Sequence, residues 1–321
     1  MRAPDFWHRD DATAHFAAAA LAPLGHLYGA AVRWKARHAK PYRARVPVIC
    51  IGNLTAGGTG KTPIAIAVAD AIIARGKNPF FLTRGFGGRL KGPVVVNRHH
   101  TAVDVGDEPL LLAAKAATVV ARDRRLGAML AVERGADVIV MDDGHQNFTL
   151  HKDLSLIVVD GEHGFGNGRI LPAGPLREPA AQGLDRAGAV IVAGDGTPVL
   201  PAFDGPVLRA RIAPQDTAVW RGRRVVAFAG IGRPEKLFRS LAGLGAEIIA
   251  AVAFADHHVY TQKELTDLKA RADGASLVTT EKDFVRLAES DRDGITFLPV
   301  KATIEPQDAL EHLLDGLGGP R

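Results

Sequence analysis

Cysteine is nearly absent from this chain of 321 residues, in which Cys50 is the single example. One cysteine excludes an intramolecular disulfide, so the fold does not depend on an oxidising compartment. Cys50 lies in the apolar segment 47–51, which favours a buried, unreactive thiol over a nucleophile. The sequence also lacks a cysteine and histidine cluster with zinc-ligand spacing, and this excludes a structural zinc module.

Long hydrophobic runs are lacking too. The most apolar N-terminal segment, 16–32, is rich in alanine and contains a proline. As a helix it would extend about 26 Å, whereas the hydrocarbon core of a bilayer is about 30 Å thick. Asp5, Asp10 and Asp11 precede it, although a signal peptide begins with positive charge. We therefore expect neither a spanning helix nor a secretory leader.

The charge balance is basic, with 40 Lys and Arg against 35 Asp and Glu, and this favours acidic partners such as nucleic acid, phosphates or anionic lipid. A basic segment with Trp34 and Tyr42 follows the apolar run, and such residues suit a membrane surface. An amphipathic helix packed on the domain would show the same pattern. No RNP-type run or recognition helix accompanies it, so we expect no nucleic-acid partner. The basic residues are Arg33, Lys35, Arg37, Lys40, Arg43 and Arg45.

The remaining chain alternates short apolar, β-rich runs with helical stretches. This alternation predicts an α/β fold with a mainly parallel sheet and helices on both faces. A second, smaller α/β set begins near Arg223, after a proline-rich stretch, and no internal repeat is evident. The predicted strands are 46–52, 79–83, 94–97, 118–121, 138–142, 156–160 and 190–192 in the first set, and 225–229, 248–253, 277–279 and 295–299 in the second.

Glycine clusters in segment 52–62, Gly-Asn-Leu-Thr-Ala-Gly-Gly-Thr-Gly-Lys-Thr, between a predicted strand and a predicted helix. That is the context of a P-loop, in which glycines let backbone N–H groups surround phosphate oxygens at a helix N-terminus. Lys61 would reach the β- and γ-phosphates, and Thr62 would ligate Mg²⁺. Thr55 stands where the strict pattern has glycine, and a glycine-rich turn without a ligand is the alternative. The predicted nucleotide-binding residues are Thr55, Ala56, Gly57, Gly58, Thr59, Gly60, Lys61 and Thr62.

Two adjacent carboxylates, Asp142 and Asp143, follow the predicted strand 138–142. A P-loop enzyme holds its metal ion with a carboxylate at the end of a neighbouring strand, as well as with the P-loop hydroxyl. An Asx turn after a strand favours the same residue type. We predict Thr62, Asp142 and Asp143 as the metal ligands.

Other polar residues are candidates for the acceptor side of a site. Asp107 begins a predicted helix, either as a cap or as a general base for an acceptor hydroxyl. His257 and His258 follow a strand of the second set, and a histidine beside a carboxylate across a cleft would assist proton transfer. Arg84 and Arg177 each lie in a loop rich in glycine or proline, and each either contacts a phosphate or remains on the surface.

Taken in order, these motifs resemble the tetraacyldisaccharide 4′-kinase family, the lipid A 4′-kinases of Gram-negative bacteria. The resemblance runs from the N-terminal helix almost to the end of the chain. A P-loop alone would say little about the substrate, whereas the ordered set is specific. The segments that carry the resemblance are 52–63, 84–88, 106–109, 142–146, 174–179, 228–234, 256–258 and 280–283.

The resemblance implies a peripheral kinase that uses ATP and Mg²⁺ at the cytoplasmic face of the bacterial inner membrane. The implied acceptor is the 4′-hydroxyl of an acylated glucosamine disaccharide 1-phosphate. The implied partners are this lipid and an anionic membrane surface, without an obligate protein partner. Asp107 matches the family's base and His257 its supporting histidine, and His258 is the competing assignment. The further candidates for contact with the substrate or a phosphate are Arg84, Glu108, Gln146 and Arg177.

The predicted division of the chain places the base and its histidine in different domains. Closure of the domains would then precede the reaction and exclude water. The predicted boundaries are 1–40 for a membrane-surface helix region within the first domain, 41–205 for the P-loop kinase domain, 206–222 for a hinge and 223–321 for a C-terminal α/β domain.

The sequence departs from the family pattern at two places. The family commonly has an apolar residue at position 145 and histidine at 147, where this chain has His145 and Asn147, so no role of that histidine is carried over. Phe86 stands where tyrosine is common, so no hydroxyl contact is expected there. Two rival functions stay open, namely a membrane-associated P-loop NTPase switch and a kinase of another small-molecule acceptor.

Overall fold

The computed structural model describes residues 4–318 and contains two β-sheets, one of nine strands and one of four. The strands are β1 (Val48–Gly52), β2 (Pro79–Thr83), β3 (Val94–Val95), β4 (Thr118–Val120), β5 (Val138–Asp142), β6 (Leu154–Asp160), β7 (Ala189–Ala193), β8 (Val207–Pro214), β9 (Arg224–Ala229), β10 (Glu247–Ala253), β11 (Ser276–Thr280), β12 (Ile295–Leu298) and β13 (Val300–Glu305). The α-helices are α1 (Ala12–His38), α2 (Lys61–Ala74), α3 (Ala102–Val105), α4 (Asp107–Ala113), α5 (Arg124–Glu133), α6 (Ala180–Leu184), α7 (Glu235–Gly243), α8 (Gln262–Ala272), α9 (Glu281–Phe284) and α10 (Gln307–Asp315).

The larger sheet has the strand order β13-β8-β7-β6-β1-β5-β2-β4-β3. Its pairs are parallel except for the two edge pairs, β13 with β8 and β3 with β4. Every residue of β1, β2, β5 and β6 is buried, as expected for strands covered on both faces. The predicted α/β sheet is therefore confirmed. The carboxyl ends of β1, β5 and β6 meet at one edge, where ligands bind in folds of this kind.

Side chains of β1 alternate between two hydrophobic cores. Ile49 and Ile51 pack in the cluster that contains the apolar residues of α2, whereas Val48 and Cys50 pack in the cluster on the other face. Burial raises the pKa of the Cys50 thiol to about 11, so the predicted buried thiol is confirmed.

The smaller sheet has the order β10-β9-β11-β12, and all of its pairs are parallel. Helix α7 contributes to the core on one face and α8 to the core on the other. Central strand β9 places five successive buried residues between these cores. The second predicted α/β set is confirmed as this smaller unit.

The strand pairing differs from the predicted division of the chain in two places. Strand β8 lies within the predicted hinge but belongs to the larger sheet. Strand β13 pairs antiparallel with β8, and α10 packs in the same core as β1, although both come from the predicted C-terminal domain. The alternating burial of both strands explains this, because their apolar side chains face the core of the larger sheet. The chain therefore crosses between the units twice.

Helix α1 packs on the larger unit through small residues. Asp11 caps it by accepting a hydrogen bond from Ala14 N. Gly25 and Gly29 approach Ile170 so closely that a Cβ at either position would lie 2.8 Å from an Ile170 atom. Among the described residues, 4–318, no helix is both long enough and apolar enough to cross a membrane.

Candidate active site

The phosphate loop, residues 52–62, connects the end of β1 to the first turn of α2. Gly57 and Gly60 have φ values of 117° and 81°, a region that side-chain-bearing residues disfavour. A Cβ on Gly60 would also lie 2.6 Å from the Ile212 side chain of β8. Both positions therefore require glycine, and the N-terminus of α2 faces the loop, as in anion-binding P-loops.

Thr55, which replaces a glycine of the strict pattern, is not among the residues with positive φ. It pairs with Leu176 in an antiparallel bridge, and Arg177 N donates to Leu54 O at 2.7 Å. Extended backbone accommodates any side chain, so threonine is compatible with the loop here. The same pairing holds Arg177 beside the phosphate loop.

The predicted metal ligands lie together at the carboxyl ends of β1 and β5. Thr62 Oγ1 donates to Asp142 Oδ2 at 3.2 Å. Asp143 Oδ1 is 3.7 Å from Lys61 Nζ and accepts a hydrogen bond from Arg177 Nη1 at 2.9 Å. Burial, followed by the nearby charge of Glu108, raises the pKa of Asp142 to about 7. Burial opposes ionisation of Asp143, but Lys61 and Arg177 outweigh it and lower its pKa.

Three buried oxygens at this edge have no hydrogen-bond partner among residues 4–318: Asn53 Oδ1, Thr59 Oγ1 and Asp142 Oδ1. Buried polar atoms are normally paired, because leaving them unpaired costs free energy. A hydroxyl can donate to a phosphate oxygen, and a carboxylate can ligate a divalent cation. The residues present therefore fit a nucleotide phosphate chain and a Mg²⁺ ion.

Asp107 begins α4 and meets His257 of the smaller unit across the cleft between the two sheets. Its carboxylate is only 4% exposed, and Oδ2 lies 3.1 Å from His257 Nδ1. The preceding Gly106 has a φ of 92°, and a Cβ there would lie 2.3 Å from Phe86 O. A glycine is therefore needed to bring Asp107 to this position.

Positive groups surround the Asp107 carboxylate. Arg286 donates to Oδ2 through Nε at 2.9 Å and through Nη2, and Lys282 Nζ lies 3.8 Å from the same oxygen. Burial would raise the pKa of this carboxyl, but the hydrogen bond with His257 and the charges of Lys282 and Arg286 hold it well below its usual range. Asp107 is therefore ionised at neutral pH.

The neighbouring histidine has different contacts. His258 Nε2 is 3.1 Å from both carboxylate oxygens of Glu264, and its ring stacks on Phe254 at 4.7 Å. His257, which has a φ of 59°, instead makes an edge contact with Phe86 at 5.6 Å. Of the two histidines, the structure brings His257 to Asp107 and directs His258 into the smaller unit.

The other predicted contact residues differ in their surroundings: Gln146 and Glu108 contact polar groups of other segments, whereas Arg84 is exposed. Gln146 Nε2 donates to Asn53 O at 2.9 Å and to Glu178 Oε1 at 3.0 Å, so it joins the phosphate loop to the segment that carries Arg177. Glu108 Oε1 lies 3.2 Å from Lys282 Nζ, across the cleft. Arg84 is exposed on the loop after β2.

Arg124 is a buried basic residue near Asp142 and Asp143 that sequence reasoning missed. Its side chain is buried at the start of α5, and its Nε has no partner among residues 4–318. Burial and then the charge of Arg84 lower its pKa to about 10. A basic residue just after β4 could have signalled this position, because β4 ends at the same edge as β5.

Sequence reasoning also missed Arg233 and Asp160, an ion pair that links the phosphate loop to the smaller unit. Arg233, which follows β9, forms a short ion pair with Asp160 at the end of β6, and its Nη2 is 3.5 Å from Gly58 O. Burial opposes ionisation of Asp160, but Arg233 and His163 lower its pKa to about 2. Asp160, Glu162 and His163 have ligand atoms within 4.8 Å of one another, and Arg233 contacts all three. The sequence could have indicated Asp160, because this carboxylate ends β6, the strand that pairs with β1.

His145 does not face the cleft. It is buried, and its Nε2 donates to Gly183 O at 3.0 Å. Burial, and then Arg186, lower its pKa to about 3, so the ring is neutral. Asn147 stabilises a turn by accepting a hydrogen bond from Thr149 N at 3.2 Å.

The sequence and the fold were compared with known proteins. Residues 17–318 match the family model described as "Tetraacyldisaccharide-1-P 4'-kinase". The chain is 50% identical to a "Tetraacyldisaccharide 4'-kinase" of Rhodospirillum centenum, over 98% of this chain and 96% of that protein. It is also 50% identical to a protein of the same name from Paramagnetospirillum magneticum, over 99% of each. A crystal structure of LpxK from Aquifex aeolicus in complex with ATP superposes with a TM-score of 0.77 at 26% identity, covering 93% of this chain and 98% of that one.

Proposed function

This chain belongs to the tetraacyldisaccharide-1-P 4′-kinase family, and from that premise we propose how its residues perform the reaction. The chain is an ATP-dependent kinase that transfers the γ-phosphate to the 4′-hydroxyl of an acylated glucosamine disaccharide 1-phosphate, a precursor of lipid A. One observation carries the assignment of residues: the phosphate loop and Asp142 lie on one side of a cleft, and His257 reaches Asp107 from the other.

The phosphate loop holds the ATP phosphates in this proposal. Backbone N–H groups of 55–62 and the N-terminus of α2 bind phosphate oxygens, and Lys61 contacts the β- and γ-phosphates. Thr62, Asp142 and Asp143 would hold a Mg²⁺ ion, and such an ion would supply positive charge to neutralise the phosphates. Lys61 Nζ lies 3.7 Å from Asp143 Oδ1, so its charge stands beside the proposed metal ligands.

Two arginines neutralise further charge. Arg177 is fixed by Asp143 and by the backbone pairing with the phosphate loop, and we assign it to the transferred phosphate. Arg84 is exposed on the loop after β2 and is assigned to a phosphate of the acceptor. Gln146 and Glu108 are assigned to positioning, because both contact charged groups from a second segment.

Transfer proceeds by attack of the acceptor oxygen on the γ-phosphorus. The bond from this phosphorus to the β,γ-bridging oxygen breaks, and ADP leaves with the electron pair. The hydroxyl proton passes to Asp107, supported by His257. A strongly basic carboxylate is not required, since the transition state of phosphoryl transfer is loose and depends chiefly on positioning.

The exposed face of α1 supports work at a membrane surface. Phe16, Leu24, Leu27 and Trp34 are exposed there, and the basic residues 33–45 follow. Apolar side chains enter the headgroup region, and basic side chains bind anionic lipid. We place the enzyme at the cytoplasmic face of the inner membrane as a peripheral protein, with its lipid acceptor as the partner and no protein partner required.

The experiment measures transfer of labelled γ-phosphate from ATP to the acylated disaccharide 1-phosphate in mixed micelles. Wild type is compared with Asp107→Ala and with Asp267→Ala, a control at an exposed position on α8. We expect wild type and the control to form labelled bisphosphorylated lipid, and Asp107→Ala to lose about 10²- to 10⁴-fold in kcat while still binding ATP.

Two results would contradict the proposal. Release of inorganic phosphate at a rate independent of the lipid would favour an NTPase switch. Labelling of a soluble acceptor in preference to the lipid would favour a kinase of another small molecule.

A further inference from the structure

Arg286 connects the smaller unit to the carboxylate of Asp107. It lies two residues after α9, and its side chain is only 7% exposed. Asp107 belongs to α4 of the larger unit and is likewise buried. A long basic side chain is rarely buried unless it is paired, so this contact between the units needs an explanation.

All three nitrogens of the Arg286 guanidinium have partners. Nε and Nη2 both donate to Asp107 Oδ2, and Nη2 is also 3.4 Å from His257 Nδ1. Nη1 donates to Gly230 O at 2.7 Å and to Asp283 Oδ1 at 2.8 Å. A planar group held along two sides has one orientation, and it therefore fixes the carboxylate it meets.

Asp283 binds Nη1 of Arg286, the guanidinium nitrogen that does not contact Asp107. It is fully buried and accepts hydrogen bonds from Gly230 N at 3.0 Å and from Tyr260 Oη at 2.8 Å. Thr280 Oγ1 donates to its second oxygen at 2.6 Å. Three segments that are far apart in sequence, 228–234, 256–260 and 280–286, thus converge on one guanidinium.

The charges around Asp107 come from both units. Lys282 and Arg286 approach from the α9 region, and His257 from the loop after β10, where Asp256 Oδ1 lies 3.9 Å from His257 Nε2. Glu108 follows on α4 and pairs with Lys282. Burial opposes ionisation of the Asp107 carboxyl, whereas these groups favour its ionised form, and Arg286 is the most buried of them.

We propose that Arg286 is a positioning residue of the kinase: it orients the Asp107 carboxylate against His257 and keeps it ionised once the smaller unit closes on the larger one. This rests on the proposed function, in which Asp107 accepts the hydroxyl proton. Arg286 does not touch the substrate; it acts through Asp107. The base is therefore assembled only when segments 228–234, 256–260 and 280–286 reach the larger unit.

The test compares wild type with Arg286→Gln, Arg286→Lys and the control Arg271→Gln, whose side chain is exposed on α8. We expect Arg286→Gln to lose about 10²-fold in kcat, since a small misplacement of a reacting group has that effect, while its Kd for ATP stays at the wild-type value. Arg286→Lys keeps the positive charge but cannot donate two hydrogen bonds from a planar group. We therefore expect its kcat to be about tenfold higher than that of Arg286→Gln and still below wild type. Arg271→Gln should match wild type.

The pH profile separates this role from simple support of the fold. Without Arg286, burial raises the pKa of Asp107, so protonation removes activity at a higher pH than in wild type. We expect the ratio of kcat at about pH 5.5 to kcat at about pH 8 to fall by at least about threefold in Arg286→Gln. Equal losses at both pH values, or a kcat within about threefold of wild type, would overturn the proposal.

A measurement without lipid keeps the inference separate from the proposed function. The ion pair of Asp107 stabilises the fold above the usual pKa of the carboxyl and is lost as pH falls through its lowered folded-state pKa. The loss in melting temperature caused by Arg286→Gln should therefore be largest near neutral pH and shrink in acid. A loss independent of pH would contradict the role of Arg286, whereas absence of lipid phosphorylation by wild type would contradict only the function.

Discussion

At the scale of single residues, neighbours decide what identical side chains can do. His257 and His258 are adjacent, yet one contacts Asp107 and the other Glu264. Positive φ at His257 turns the chain so that successive side chains point to different units. The sequence left both histidines as candidates, and the geometry favours His257.

Replacing each histidine by alanine tests this difference. We expect His257→Ala to lower kcat by about 10²-fold or more, because it removes the partner of the proposed base. His258→Ala should keep kcat within about threefold, since it removes contacts inside the smaller unit only. The measurement is phosphate transfer to the lipid in micelles, with thermal unfolding of both variants as the control for folding. A larger kcat loss in His258→Ala would reverse the assignment.

At the scale of elements, α1 has two distinct faces. Ala14, Ala18, Gly25 and Gly29 are buried, and the exposed apolar side chains lie on the opposite face of a helix with about 3.6 residues per turn. Trp34 is 62% exposed next to the basic end of the helix. A solvated helix face usually carries polar residues, so the apolar face of α1 supports the membrane contact proposed above.

Flotation with anionic liposomes tests this face of α1. The double variant Leu27→Glu with Trp34→Glu places negative charge on it, and we expect the partition coefficient to fall at least about tenfold. The matched control is Leu126→Glu with Met129→Glu, which changes two exposed apolar residues of α5. Equal flotation of the two double variants would mean that α1 does not contribute to membrane binding.

At the scale of the whole molecule, the two units meet through ion pairs at both ends of the cleft. Arg286 pairs with Asp107 and Lys282 with Glu108, on the side where we propose that the acceptor binds. Arg233 pairs with Asp160 beside the phosphate loop. Because each pair joins side chains from different units, opening of the cleft would break all of them together. The pairs therefore favour the arrangement in which the two units are in contact, and in the proposed reaction this closure would exclude water from the phosphates.

A double-mutant cycle tests the contact at the phosphate loop. We expect Arg233→Gln and Asp160→Asn each to lower kcat/KM for ATP by about tenfold. The kcat/KM of the double variant should be no lower than that of the less active single variant. Non-additivity would follow because either change alone breaks the same contact. Arg239→Gln, at an exposed position on α7, is the control. Additive losses would mean that the two residues act separately.

Much of the molecule was determined by local sequence. Apolar runs of strand length, the Gly-Lys-Thr of the phosphate loop and the carboxylates after β5 predicted the larger sheet and its ligand edge, because strand burial and loop conformation depend on neighbouring residues. The ordered motifs also identified the family. What local sequence could not determine were contacts between distant segments.

Tertiary structure alone decided the remaining features. Strand β13 and α10 return to the larger sheet because β8 offers an open edge, a partner that lies far away in sequence. Arg124, Arg233 and Arg286 resemble surface arginines in the sequence, and only the packed fold buries or pairs them with Asp107 and Asp160. The physical reason is that the free energy of a charge depends on its burial and on the opposite charges around it, and both are properties of the folded chain.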